Sequence, residues 1–95
     1  MGSTEQITYR EMCEAVAQDW NREQEAAKGR GAKDIIFLTA DDIWNFRLVQ
    51  KFPALYVPRL YDAAKTGDLM GLILTDNTCA KMFFDHLYEA GKKEE

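Results

Sequence analysis

Residues 35–43 read IIFLTADDI, a run of four apolar residues followed by a threonine, an alanine, two aspartates and an isoleucine. The run 35–38 is too short and too uniformly apolar for an amphipathic helix, which favours a buried strand. Thr39 can accept a hydrogen bond from the first turn of a helix, while Leu38 and Ile43 flank that turn as a hydrophobic staple. The stretch therefore predicts a change from strand to helix at Thr39.

The same arrangement of an apolar residue, a threonine and a second apolar residue four positions later occurs twice more. Thr8 starts one copy, and Glu11 three positions later completes a capping box. Thr75 starts the other copy, directly after the apolar run 69–74. Each threonine is therefore predicted to mark the start of a helix.

These starts, the apolar periodicity and the glycine and proline stops predict a helix-rich α+β domain. The predicted helices span 9–28, 40–51, 58–66 and 76–90, and a small two-stranded sheet is formed by 35–38 and 70–74. Two helices lie between the strands, which suits a parallel pair joined by a crossover. An all-α bundle is the alternative, in which both apolar runs extend neighbouring helices.

Length and composition limit the classes of protein. The chain has 95 residues, 46% of them apolar, and a net charge of −4. We expect one domain spanning 1–95, with 1–6 and 91–95 as disordered tails. The sequence contains neither the roughly 20 consecutive apolar residues of a membrane span nor the pattern of a secretion signal, so we expect a cytoplasmic protein without membrane contact.

Groups that commonly carry out catalysis are few in this chain. Ser3 is the only serine, and Cys13 and Cys79 lack the paired spacing of zinc or redox sites. Cys79 follows a predicted helix start, where the helix dipole would lower the pKa of its thiol. His86 lies two turns further on, roughly 10 Å away and too far for direct proton transfer. We therefore expect no enzyme, no cofactor and no metal site.

The segment 52–59 is the candidate contact surface, because large apolar side chains stand between two prolines in a connection between helices. Connections run over the surface, so these side chains either close over the core as a lid or meet a partner. Aromatic residues and arginine are concentrated in protein interfaces. The predicted partner-binding residues are Trp44, Arg47, Phe52, Leu55, Tyr56 and Arg59.

The sequence thus predicts a small non-enzymatic protein-binding module, such as an adaptor, an inhibitor or a regulatory subunit. Its partner would be another protein, and a second copy of the chain forming a homodimer is one candidate. The alternative is a nucleic-acid-associated regulator that uses a helix pair and the basic loop 28–33. That loop carries three cations, although the acidic balance of the chain makes nucleic acid the less favoured partner.

Overall fold

The computed structural model describes residues 7–93, and within that range the chain is helical. The helices are α1 Tyr9–Gly29, α2 Ala40–Trp44, α3 Arg47–Lys51, α4 Pro53–Lys65, α5 Leu69–Thr75 and α6 Asn77–Lys93. No strand occurs in 7–93, so the predicted α+β class is wrong and the protein is a small all-helical domain. The predicted tail 1–6 lies outside the described residues, as does 94–95, whereas residues 91–93 belong to α6.

Two of the three predicted threonine caps are present. Thr8 accepts from the backbone N–H of Glu11 at 3.2 Å, and the Glu11 carboxylate accepts from the Thr8 N–H at 2.9 Å. Thr39 and Asp42 form the same reciprocal pair at the start of α2, at 3.2 and 2.8 Å. The prediction for Thr75 is wrong, because this residue ends α5 and its hydroxyl donates to a carbonyl one turn earlier.

The segment 35–38 lies outside any helix, but it pairs with side chains of α1 instead of a second strand. The Asn21 amide accepts from the Leu38 N–H and donates to the Leu38 carbonyl, both at 2.8 Å. The Trp20 indole also donates to the Ile36 carbonyl at 2.8 Å. Since an amide side chain carries a donor and an acceptor, Asn21 supplies the two hydrogen bonds that a neighbouring strand would have made.

Replacing Asn21 with aspartate should lower the free energy of unfolding by about 2 kcal/mol. The carboxylate still accepts from the Leu38 N–H, but it cannot donate to the Leu38 carbonyl, which then faces a negative charge. Urea denaturation measures the loss. Gln18→Glu is the matched amide-to-acid change at an exposed site on the same helix and should stay within about 0.5 kcal/mol of wild type. Equal losses in the two variants would contradict this account.

The second predicted strand, 70–74, is wrong because this run forms most of helix α5. The backbone N–H of Leu69 donates at 3.3 Å to the buried carboxylate of Asp19, which lies 50 residues earlier on α1. Leu69 and Ile73 are then one helical turn apart and both are buried. An apolar run of this length is compatible with a strand or with a buried helix, and here a group distant in sequence decides between them.

The predicted helix 40–51 is broken at Phe46, which divides it into α2 and α3. Phe46 has φ −59° and ψ 138°, outside the helical region, and its ring is fully buried with its centroid 4.6 Å from that of Phe83. The side chain of Gln50 donates to the carbonyl of Trp44 at 2.7 Å. The break thus places an aromatic ring in the core, and Gln50 satisfies a carbonyl at the end of α2.

The predicted helix 58–66 begins at Pro53 instead, so that Pro58 lies inside α4. Proline has no N–H to donate to the carbonyl one turn earlier, which weakens a helix at that point. Val57 and Leu60 on either side of Pro58 are buried, and their packing offsets this cost. The predicted stop is confirmed at Gly67, whose φ of 74° reverses the chain after α4.

The hydrophobic core lies between α1 and the later helices. α1 packs against α2, α4 and α5, and α6 packs against α3 and α5. The Trp20 ring stacks on Phe83 at a centroid distance of 5.0 Å. The largest fully buried side chains are Phe46, Phe83, Ile43, Leu60, Leu69, Val16, Val49, Val57, Cys13 and Cys79. Among the helices of residues 7–93, none has the length and apolar character needed to cross a membrane.

Candidate functional site

Helix α4 buries one side and exposes the other. Val57 and Leu60 are buried against the core, whereas Phe52 and Leu55 expose 51% and 57% of their surface. Leu55 and Arg59 are four residues apart and lie along one stripe of α4, and Phe52 immediately precedes the helix with φ −134° and ψ 65°. We call these three residues the α4 face. It contains three of the six residues that the sequence predicts to bind a partner.

Tyr56, a fourth predicted residue, belongs mainly to the interior. It is half-buried and packs against the core, and its ring centroid lies 6.4 Å from that of Phe52. The sequence suggests that the segment 52–59 either closes over the core or meets a partner, and each suggestion applies to different side chains. Tyr56 and Val57 cover the core, while Phe52 and Leu55 remain available at the surface.

Arg59 is exposed, but it also connects α4 to the start of α6. Its guanidinium donates through Nε and Nη2 to Oδ2 of Asp76, at 3.0 and 2.6 Å. The other oxygen of Asp76 accepts from the backbone N–H groups of Thr78 and Cys79, at 3.0 and 3.3 Å. Hydrogen bonding to Arg59 first, and to the Cys79 N–H second, holds the pKa of the Asp76 carboxyl below its ordinary value. Asp76 therefore caps α6, where the sequence predicts Thr75.

The remaining two predicted residues lie on other surfaces. Trp44 contacts Tyr9 of α1, with ring centroids 6.0 Å apart, and it lines a cleft between α1 and α2. Arg47 lines a groove between α3 and α6. The structure thus brings together Phe52, Leu55, Tyr56 and Arg59, and it places Trp44 and Arg47 in two separate depressions.

The groove beside Arg47 is a feature that the sequence does not predict. Its volume is about 710 Å³, its walls come from α2, α3 and α6, and Leu48 and Met82 contribute apolar surface. His86 Nε2 lies 3.5 Å from Asp42 Oδ1. The groove is lined by no hydroxyl or thiol group, and the described residues contain no group of three side chains that could hold a metal ion. Such a groove can bind a ligand through hydrogen bonds and ionic contacts.

The expectation that the helix dipole lowers the pKa of Cys79 is wrong. Burial, and secondarily the negative charge of Asp76, raise the pKa of the Cys79 thiol to about 11. Burial also raises the pKa of Cys13. Both thiols are free and buried, so neither has the exposed, electropositive surroundings of a reactive cysteine.

Alkylation of Cys79 by iodoacetamide should be at least about 100-fold slower in the folded protein than in denaturant at neutral pH. The thiolate is the reacting form, and its fraction falls about 100-fold because the pKa of the thiol is higher in the folded protein. Cys13→Ala isolates the reaction of Cys79, and Cys79→Ala isolates that of Cys13. The raised pKa also means that the free energy of unfolding contributed by this thiol is lost as the pH rises from about 9 towards 11. Rapid alkylation of the folded Cys13→Ala variant would contradict the assignment.

The basic loop 28–33 follows the end of α1. Lys28, Arg30 and Lys33 are exposed, and Gly31, at φ 94°, ends the helix as predicted. Cations at the C-terminus of a helix complement the partial negative charge of its last carbonyl groups. Phosphate-binding loops lead instead into a helix N-terminus, whose free N–H groups hold the anion. The position of this loop at the C-terminus of α1 is that of a helix cap.

Comparison with known proteins adds no functional information. No family description, curated protein or solved structure matches the chain. Inference about function therefore depends on the geometry of the surfaces described above, and among the predicted residues the α4 face is the arrangement that most resembles a binding surface.

Proposed function

We propose that this protein is a small protein-binding module that contacts its partner through the α4 face. The observation that supports this is the position of Phe52 and Leu55, which are more than half exposed at the start of a helix whose other side carries the buried residues Val57 and Leu60. Neighbouring apolar side chains left in water are typical of surfaces that bind another protein. A helix of this kind commonly binds by laying its apolar stripe into a groove of the partner.

The size of the α4 face suggests how it would contribute to an interface. A stable complex buries roughly 800 Å² on each partner, far more than two side chains supply. Phe52 and Leu55 would therefore form the centre of the contact, with exposed charged residues such as Lys51 and Asp62 at its rim. We accordingly propose a weak or regulated association, as expected for an adaptor, an inhibitor or a regulatory subunit.

We propose a binding function in preference to a catalytic one because both thiols are buried and unreactive. Cys13 and Cys79 are buried, and the pKa of each is raised, so both are poor nucleophiles at neutral pH. Among the described residues that line the groove beside His86, none carries a hydroxyl or thiol group.

Replacing Leu55 with aspartate should weaken association at least about tenfold, because a charge would then enter the apolar centre of the contact. Sedimentation over a range of protein concentrations measures association with a second copy, and affinity capture from the cell of origin, followed by titration of the purified partner, measures association with another protein. Circular dichroism confirms that the variant folds.

Leu74→Asp is the matched control, because Leu74 is 80% exposed at the end of α5 and undergoes the same chemical change. It should leave association unchanged. Loss of binding in both variants, or in neither, would contradict the assignment of the α4 face. Tyr56→Ala and Arg59→Ala are less informative, since Tyr56 packs on the core and Arg59 bonds to Asp76, so either change also removes a contact that stabilises the fold.

A further inference from the structure

The cleft between α1 and α2 is separate from the α4 face. It has a volume of about 380 Å³ and lies where the first turns of the two helices approach each other. Pockets that bind small molecules have volumes of roughly 300–1,000 Å³ and are lined mainly by apolar groups. Its size therefore fits a small molecule better than a protein segment.

Two aromatic rings form the wall of this cleft. Tyr9 and Trp44 lie with their centroids 6.0 Å apart and their planes tilted by 33°. They expose 38% and 37% of their surface, so part of each ring is accessible at the cleft. Ala40 adds a small side chain to the lining, and the fully buried Cys13 lies behind it. The lining thus presents flat apolar surface.

The charges at the rim of the cleft are already paired. Arg10 Nη1 lies 3.2 Å from Asp41 Oδ1, and Arg10 Nε lies 3.9 Å from the carboxylate of Glu14. The hydroxyl of Thr8 accepts the capping bond of α1. A charged ligand would have to compete with these contacts, whereas an uncharged ring would not.

We propose that this cleft binds a small, uncharged, planar aromatic molecule of one or two fused rings. The ring would lie against Tyr9 and Trp44, where offset or edge-to-face contacts are favourable, and it would approach the small side chain of Ala40. This site is independent of the proposed partner contact.

Indole is a suitable probe, and amide and indole N–H chemical shifts of the isotopically labelled protein report where it binds. We expect saturable shifts confined to the cleft, at Tyr9, Ala40 and Trp44. Indole-3-acetate and tryptamine, which add a negative and a positive charge, should each bind several-fold more weakly. Cyclohexylmethanol, which is apolar but not aromatic, should cause no saturable shift.

Two variants of different kinds test the location. Trp44→Ala removes half of the aromatic wall, and Ala40→Leu narrows the cleft while leaving both rings in place. Each should weaken indole binding at least about tenfold, while Phe84→Ala, at an exposed aromatic residue of α6, should leave it unchanged.

Absence of saturation, equal binding of cyclohexylmethanol, or unchanged binding in Ala40→Leu would overturn the proposal. Saturable shifts that map away from the cleft would also overturn it. Leu55→Asp should bind indole like wild type, so that failure of this site and failure of the α4 face are distinguished.

Discussion

Replacing Phe83 with alanine should lower the free energy of unfolding by about 4 kcal/mol and leave little folded protein. Phe83 is fully buried, stacks on Trp20 at 5.0 Å and meets the edge of Phe46 at 4.6 Å. The variant loses the free energy that burial of the phenyl ring contributes to folding. It also leaves a cavity where helices α1, α3 and α6 meet. Domains are stable by only about 5–15 kcal/mol in total, and small ones lie near the lower end.

The next residue supplies the matched control for this change. Phe84→Ala removes the same side chain from a site that is 59% exposed, and its effect should stay within about 0.5 kcal/mol. Urea denaturation followed by circular dichroism measures both variants. Similar losses in Phe83→Ala and Phe84→Ala would contradict the placement of the core face of α6.

Replacing Asp19 with alanine should cost about 3 kcal/mol, the second largest effect that we expect. Asp19 is 5% exposed, pairs with Arg22 one turn later and accepts from the backbone N–H of Leu69. The alanine variant leaves that N–H without an acceptor in the interior, and helix α5 has no side-chain cap of its own. Thermal denaturation measures the loss, and hydrogen exchange should show faster exchange of the α5 amides.

Two further variants distinguish the cap from a general effect of charge. Asp19→Asn keeps an oxygen that accepts from Leu69, so it should lose clearly less stability than the alanine variant. Asp41→Ala removes a carboxylate that is 73% exposed and pairs with Arg10, and it should change stability by less than about 1 kcal/mol. Equal losses in Asp19→Ala and Asp41→Ala would show that Leu69 does not depend on Asp19.

Most signals that act within one helical turn were predictable from the sequence. The helix starts at Thr8 and Thr39 and the glycine stops at Gly31 and Gly67 depend on groups three or four residues apart, and all four are present, whereas Thr75 has the same local pattern and ends a helix. The predicted helix 76–90 is likewise present as α6, on which the buried residues Cys79, Met82 and Phe83 lie three and four positions apart.

Signals between distant segments were not predictable. The run 70–74 has no periodicity that distinguishes a strand from a helix, and Asp19 settles the matter from 50 residues away. Likewise, nothing near 35–38 indicates that Asn21 replaces a strand partner. An all-α bundle was the alternative prediction, and its all-helical class is the one that residues 7–93 show, although 35–38 does not extend a helix.

The candidate surface was predictable in part for the same reason. Residue type alone indicated that the segment 52–59 is rich in side chains suited to an interface. It did not indicate that Pro58 lies inside a helix, which turns Val57 inward and leaves Leu55 outward. Trp44 and Arg47 lie close to this segment in sequence, yet the break at Phe46 places them in separate depressions.

Three consecutive residues of α1 hold two later parts of the chain: Asp19 holds Leu69, while Trp20 and Asn21 hold Ile36 and Leu38 of the segment 35–38. One turn of helix therefore acts as a template on which two distant segments acquire their conformation. Neither segment can complete its hydrogen bonds locally. Both are therefore expected to form after α1 has folded and the intervening loops have closed. Folding of this domain is accordingly expected to begin at its first helix.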